Sequence, residues 1–327
     1  MASVELSVVI PTLNGGELFE RTLTAIRGQK TPRSFEIVVV DSGSVDGTVQ
    51  RAQSAGARVL QIERSQFNHG ATRDFAIHES RGRYVALSVQ DAEPANADWL
   101  EALAQALDDV PDASGAYSRQ IPRFGLNPIL RDRLERWSAS RTQRDVQRLP
   151  LERSFDSLSP WERLARVAFD NVSSCIRRSV WERYPFGQRR FGEDIGWATA
   201  CIRRGEAIVF EPRSVVIHSH DSSVGYEFRR ILADHRNLSE LIGLETVPDW
   251  RALRRNTLHA RESYYALIAK EPLAPARKAA LRRWACRYAF AENLAQYLGA
   301  RCTRERRSPS ALAPLWRLIE HMLVRRV

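Results

Sequence analysis

The chain has 327 residues, 43% of them hydrophobic and 27% charged, with no low-complexity tract or internal repeat, which is room for one large α/β domain and a smaller appendage. No apolar run reaches the roughly 18 residues needed to span a bilayer, and Met1-Ala2-Ser3-Val4-Glu5 lacks the basic start and apolar stretch of a secretory signal, which predicts a cytoplasmic chain. The net charge of +10 is lopsided: residues 226–327 hold 20 Lys and Arg against 10 Asp and Glu, while the first 225 residues balance at 29 each.

Leu6–Thr12 is a short apolar run closed by Pro11 and Thr12, and Gly16–Gln29 has helical periodicity. A second strand, Phe35–Val40, ends in the turn cluster Asp41-Ser42-Gly43-Ser44, which also supplies helix N-caps. A helix near Asp46–Ala55, a strand at Arg58–Ile62, a helix near Ala71–Ser80 and a strand at Tyr84–Val89 follow. Strands alternating with helices predict a parallel sheet covered on both faces. Such sheets bind ligands at the carboxyl ends of their strands, and Thr12, Asp41, Asp46 and Asp91 all fall at such ends. From Phe124 to Pro160 the pattern changes to an Arg-rich insertion of helix and loop. Phe169–Ile176 is strand-like, Glu193–Arg204 helical, and Ala207–Phe210 and Val215–His218 are short strands. Everything after Gly225 reads as helix, punctuated by Pro248, Pro272, Pro275 and Pro309. The predicted architecture is an α/β catalytic domain over residues 1–225 and a basic helical region over 226–327. Cys175, Cys201, Cys286 and Cys302 show no metal-ligand spacing and are expected as buried thiols.

Two acidic sites stand out. Gln90-Asp91-Ala92 follows an apolar strand, and Gly192-Glu193-Asp194-Ile195-Gly196-Trp197 opens a helix. One carboxylate to hold a metal-bound diphosphate and another to deprotonate an attacking hydroxyl would together make a sugar-transfer site. Each also has a plain structural reading: Asp91 as the cap of a helix beginning near Ala97, and Glu193-Asp194 as an acidic first turn favoured by the helix dipole. Asp41–Thr48 likewise reads as an Asp/Ser N-cap or as a nucleoside contact beside a helix N-terminus. No G-x-G-x-x-G or G-x-x-x-x-G-K-[ST] is present, so dinucleotide and P-loop readings lose their support. His218 and His220 flank Ser219 in a strand-like segment and share a face, so either suits a metal ligand.

Val8-Val9-Ile10-Pro11-Thr12-Leu13-Asn14, Val39-Val40-Asp41-Ser42-Gly43-Ser44 and Asp46-Gly47-Thr48 together resemble the opening of the family 2 glycosyltransferases, nucleotide-sugar-dependent enzymes of GT-A fold. Phe67-Asn68-His69-Gly70-Ala71-Thr72-Arg73, Gln90-Asp91-Ala92-Glu93-Pro94, Gly192–Trp197 and His218-Ser219-His220 resemble the bacterial rhamnosyltransferase branch, and the likeness is spread over residues 5–235. The resemblance implies a GT-A, Rossmann-like and mostly parallel sheet flanked by helices. It implies inverting transfer from a dTDP- or UDP-linked sugar, foremost dTDP-L-rhamnose, to a hydroxyl of a bacterial polysaccharide or polyprenyl-linked glycan. The donor site would comprise Pro11, Thr12, Asn14, Asp41, Ser44, Asp46, His69, Arg73, Gln90 and Asp91, with Arg73 and His69 clamping the diphosphate or the deoxysugar.

By the same resemblance Asp194 is the general base, and Glu193 supports the site or contacts the acceptor. Trp197 would offer a stacking surface to the sugar, and Arg119 and Gln120 would lie on the acceptor side. Adjacent residues point to different faces of a helix, which separates the tasks of Glu193 and Asp194. Mg²⁺ or Mn²⁺ would be held by Asp91, with His218 preferred over His220 as the second ligand, and would offset charge on the departing diphosphate. The family's Asp-x-Asp is reduced here to one carboxylate, and Asp74 replaces the Asn expected after Arg73, which leaves the hydrogen bonding there open.

Leu312, Leu315, Trp316, Ile319, Met322 and Leu323 recur at helical spacing beside Arg317, Arg325 and Arg326. They read as a helix packed on its own domain or on a second copy in a homo-oligomer, or as a basic amphipathic helix lying at the inner face of the cell membrane. Two rival functions remain. A sugar nucleotidyltransferase needs a basic Gly-rich loop after the first strand, which Pro11-Thr12-Leu13-Asn14-Gly15-Gly16 lacks. A basic membrane- or RNA-binding protein with an inactive GT-A body is the other; no aromatic stacking array accompanies the charge, so no nucleic-acid partner is expected.

Overall fold

The computed structural model describes residues 4–311 and 313–324. The chain begins with β1 (Leu6–Thr12), α1 (Gly16–Arg27), β2 (Phe35–Asp41), α2 (Thr48–Ser54), β3 (Arg58–Gln61), α3 (His69–Glu79) and β4 (Tyr84–Ser88). It continues through β5 (Glu93–Pro94), α4 (Trp99–Asp109), β6 (Ala113–Ile121), α5 (Pro128–Glu135), β7 (Asp145–Gln147), α6 (Pro160–Val167) and β8 (Ser173–Arg177). The remainder is α7 (Arg178–Trp181), α8 (Glu193–Arg203), β9 (Ala207–Ile217), α9 (Val224–Ile242), α10 (Trp250–Lys270), α11 (Pro275–Arg307) and α12 (Ala313–Val324).

The nine described strands form one sheet in the order β3-β2-β1-β4-β8-β6-β9-β5, with β7 added to the first half of β9. Pairing is parallel among β3, β2, β1 and β4; β8 runs antiparallel between β4 and β6, and β9 is parallel to β6. Six strands therefore point one way, the mostly parallel α/β sheet that the alternating pattern predicts. Val38, Val39 and Val40 are all fully buried, as a strand covered on both faces requires. Helix α1 buries Phe19, Thr22, Leu23 and Ile26 at spacings of three and four, and α4 buries Trp99, Leu100, Leu103 and Leu107 in the same manner. Each large apolar side chain so buried contributes about 1.5–3 kcal/mol.

Some local expectations change. Ala207–Phe210 and Val215–His218, which read as two short strands, are one 11-residue strand, β9, whose register against β6 shifts between Ser118 and Arg119. Arg119 and Gln120 lie inside β6, near its carboxyl end. Cys175, Cys201 and Cys302 are buried, but Cys286 is exposed.

The chain divides into two compact units, Met1–Phe124 with Leu134–Ser219, and Gly125–Arg133 with His220–Val327. The first contains the whole sheet. The second is helical, with a core that includes Ile129, Leu130, Ile231, Leu232, Ile268, Leu281 and Tyr288. Within it Arg133 lies 3.7 Å from Glu227 and 3.6 Å from Glu292 and donates to the Tyr288 hydroxyl. The Arg301 guanidinium of α11 sits 5.7 Å from the Trp316 ring of α12, while Leu315 is exposed; the side chains of Ile319, Met322 and Leu323 lie outside the described residues. Leu312, Arg325 and Arg326 lie outside the described residues. No described helix is long and apolar enough to cross a membrane.

Candidate active site

Topology gathers the acidic motifs at one edge of the sheet. The parallel strands β1, β2 and β4 deliver their carboxyl ends to this edge, bearing Thr12, Asp41 and Gln90-Asp91. Strand β8 runs the other way, with Ser173 opposite Ser88, so the residues just before it, Asp170 and Asn171, arrive at the same edge. Short strand β5 pairs antiparallel with the end of β9, Glu93 opposite Ile217, which brings Asp91 beside His218.

The first three loops form a hydrogen-bonded cradle. Asp41 is buried, and its carboxylate accepts from the Thr12 hydroxyl at 3.2 Å, from the backbone N–H groups of Gly43 (3.1 Å) and Ser44 (2.9 Å), and from the Ser44 hydroxyl. Asn14, with φ of 47°, donates its N–H to Ser44 Oγ and accepts from Val45 N–H. The Asp46 carboxylate accepts from Gly16 N–H and from the Thr48 hydroxyl, and the latter chiefly holds its pKa below the ordinary value. The Gln90 amide pairs with both backbone groups of Leu13, at 2.9 and 3.3 Å, tying the loop after β1, whose last two residues are Pro11 and Thr12, to the Asp91 turn.

His218 Nε2 lies 3.9 Å from Asp91 Oδ1, both side chains mostly buried. His218 Nδ1 meets Gln120 Oε1 at 3.2 Å, and the same amide donates its Nε2 to Asp170 Oδ2 at 2.6 Å. Asp170 as a carboxylate accepts only, so it orients the Gln120 amide with oxygen toward the imidazole. That places the imidazole proton on Nδ1 and leaves the Nε2 lone pair facing Asp91, the protonation state a metal-bound histidine needs. A carboxylate oxygen and an imidazole nitrogen at this spacing suit a divalent cation between them. His220, exposed, is the first residue of the second unit.

At the other end of this chain of contacts sits the base candidate. Asp194 Oδ2 faces Asn171 N–H at 3.4 Å, and its Oδ1 accepts from Ile195 N–H at 2.7 Å. Burial, followed by the neighbouring Glu193 and Asp170 carboxylates, raises its pKa well above the usual range. Burial likewise raises the Asp170 carboxyl, with Glu193 adding to the effect. Glu193 accepts from Asn171 Nδ2 at 3.2 Å and pairs with Arg73 at 3.0 Å. Burial alone would push Glu193 up, but Arg73 and His69 override it and hold this carboxyl low. Gly192, with φ of 69°, makes the left-handed turn that aims both residues inward.

Three expectations need correction. The Glu193 and Asp194 carboxylates do not point apart; both converge on Asn171, because Asp194 folds back onto the start of its own helix. Trp197 is no sugar platform: it is 3% exposed, packs between Phe169 and Phe186 and donates to the Tyr184 carbonyl. Arg73 and His69 are not an open clamp. Arg73 is 3% exposed and committed to Glu193 and the His69 carbonyl, and burial, then Arg73, lowers the His69 pKa. Glu193 is correspondingly a buried support of the site and has no surface for an acceptor.

Asp74, the departure from the expected Asn, accepts from Trp181 Nε1, Phe186 N–H and Gly187 N–H at 2.6, 3.0 and 2.7 Å and so anchors the loop leading to Glu193. A Cβ at Gly70 would lie 2.1 Å from the Gly187 carbonyl, so only glycine lets α3 meet that loop. The Arg119 side chain makes no hydrogen bond or ion pair among the described residues, whereas Gln120 is central. Sequence reasoning missed Asp170 and Asn171; their only signal was a polar pair opening the strand-like run at Phe169.

The profile of Glycosyl transferase family 2 matches residues 7–161. An O-antigen chain rhamnosyltransferase of Salmonella typhimurium is 29% identical over 235 residues, covering 69% of this chain and 70% of that protein. A second, from Salmonella anatum, is 25% identical over 231 residues, covering 68% and 69%. Among solved structures, glucosyl-3-phosphoglycerate synthase of Mycobacterium tuberculosis, crystallised with Mn²⁺, UDP-glucose and phosphoglyceric acid, superposes with a TM-score of 0.54 at 19% identity, covering 76% of this chain and 82% of that one. Residues 1–349 of TarS from Staphylococcus aureus give 0.50 at 14% identity and 92% coverage of both chains. These structures share the fold.

Proposed function

The chain belongs to glycosyl transferase family 2, with the GT-A fold and O-antigen rhamnosyltransferases among its relatives, and from that premise we propose that it is an inverting, cation-assisted rhamnosyltransferase. The donor is dTDP-L-rhamnose, and the acceptor a hydroxyl of a bacterial surface polysaccharide or its polyprenyl-linked precursor. The observation that carries this reading is the run Asp91–His218–Gln120–Asp170, which joins a cation-holding pair to the carboxyl cluster around Asp194.

Asp194, its pKa raised by burial and by the neighbouring carboxylates, accepts the proton of the acceptor hydroxyl as that oxygen attacks the anomeric carbon. Asn171 and the Glu193–Arg73 pair hold Asp194 in place. Asp91 and His218 would hold Mg²⁺ or Mn²⁺, and His220 is a further imidazole the sequence offers for the same task. When bound, the cation neutralises charge on the leaving diphosphate. The cradle of Pro11, Thr12, Asn14, Ser44 and Asp46 receives the nucleoside, with Asp41 fixing its shape from beneath. The raised Asp194 carboxyl speaks against an inactive body, since a binding module has no use for it.

Donor hydrolysis across a panel of sugar nucleotides tests the assignment. dTDP-rhamnose should be cleaved fastest, and only with Mg²⁺ or Mn²⁺ present; absence of binding or cleavage of any nucleoside diphosphate sugar would remove it. The tautomer relay has its own test in Asp170→Asn. An amide there can donate to Gln120 Oε1, which frees Gln120 to turn its NH₂ toward His218 and shifts the imidazole proton to Nε2. Mn²⁺ affinity, read by electron paramagnetic resonance with nucleoside diphosphate present, should fall about 10–100-fold. An unchanged affinity would mean that Asp170 does not act through Gln120.

A further inference from the structure

Most surface arginines of the sheet unit have carboxylate partners: Arg183 with Glu206, Arg203 with Asp156, Arg213 with Glu211. Helices α10 and α11 of the second unit differ. Arg251, Arg254 and Arg255 on α10, and Arg282, Arg283 and Arg287 on α11, are all exposed, and none hydrogen-bonds to or ion-pairs with any described residue. Six cations without a carboxylate partner on two helices repel one another, and a polyanionic surface relieves that repulsion.

Apolar groups are set among them. Arg251, Arg254, Arg255 and Leu258 follow the three-and-four spacing of one helix face, and Leu258 is 42% exposed. Tyr265 is two turns further along that face, and the Arg282 guanidinium lies 5.8 Å from its ring, so the surface continues onto α11. There Arg282 and Phe290 share a stripe, Phe290 being 48% exposed; Trp250, at the start of α10, is 64% exposed.

We propose that this α10–α11 face docks the protein on an anionic lipid bilayer. Arginines flanking protruding Trp, Leu and Phe fit a helical surface lying in the headgroup region, with apolar tips at the acyl boundary and cations against lipid phosphates. Nucleic acid fits less well: single strands are read by stacked aromatic platforms, and Leu258 between arginines offers none. The face lies on the membrane and does not cross it. It is independent of sugar transfer and adds to the proposed function the placing of the enzyme at a lipid surface.

Sedimentation of the full chain with vesicles tests it, using phosphatidylcholine alone and phosphatidylcholine with about one third phosphatidylglycerol, at ~0.1 M salt. Binding should be at least about tenfold tighter to the anionic vesicles and should weaken as salt rises. The set R251Q, R254Q, R255Q, R282Q, R283Q, R287Q should lose it, and W250A with F290A should weaken it with all charges kept. Donor hydrolysis, measured on the same variants, should be unchanged, which separates loss of docking from loss of fold or of the transfer reading. Equal binding to both vesicle types, wild-type binding by the glutamine set, or tighter binding of a short single-stranded RNA with no dependence on Trp250 and Phe290 would overturn the proposal.

Discussion

Asp194→Asn lowers kcat by about two to four orders of magnitude and leaves nucleotide binding intact, the range expected when a positioned general base is removed. Asn keeps the shape and the contact with Asn171 N–H but cannot accept the acceptor's proton. In the unmodified protein the rate should fall on acidification. A base works only when deprotonated, and burial, Glu193 and Asp170 raise this carboxyl, so the acid limb lies above that of an ordinary Asp, about 3.9.

The same shift fixes the sign of a stability effect. Between the unfolded and the raised folded pKa the native state holds a proton that the unfolded state has released, so this group's contribution falls as pH rises through that window. Asp194→Asn should therefore melt higher than the unmodified protein at pH 8, with the gap closing toward pH 4. Such a stability gain bought with lost activity is common at active sites. An active Asn variant, or one without the pH-dependent gain, would take the base assignment away from Asp194.

Glu193→Ala destabilises the protein by about 3–5 kcal/mol, because it strands the Arg73 guanidinium inside the protein. Both side chains are nearly inaccessible, 4% and 6% exposed, and Arg73 Nε has no hydrogen-bond partner among the described atoms, so the guanidinium relies on Glu193 for its ion pair. In calorimetry the loss corresponds to a fall in Tm of ~10 °C. The double change Arg73→Met with Glu193→Leu removes both charges and should recover most of the stability without recovering transfer. A cost below about 1 kcal/mol for Glu193→Ala would show that water reaches the pair and screens it.

Much of the molecule was legible in the linear chain. Val38–Val40, the alternation of strands with helices through Val89, and the turn residues at Asp41–Thr48 specify a covered, mostly parallel sheet, because periodicity and burial are local properties of a segment. The motif residues Asp91, Asp194 and His218 were identifiable because carboxylates and imidazoles next to strand ends have few structural uses.

What each side chain does there was decided by contacts distant in sequence. Trp197 reads as a sugar platform one turn from the base, yet Phe169 and Phe186 enclose it. Arg73 reads as a clamp, yet Glu193, 120 residues later, claims its charge. Asp170 carries no motif; only the antiparallel entry of β8 sets it beside Gln120 and the Asp194 cluster. The amino-acid order by itself determined the sheet and its chemical inventory, since strand formation and residue type are written segment by segment. Burial and charge pairing were decided by the tertiary fold, because the free energy of a buried charge depends on which distant group arrives next to it.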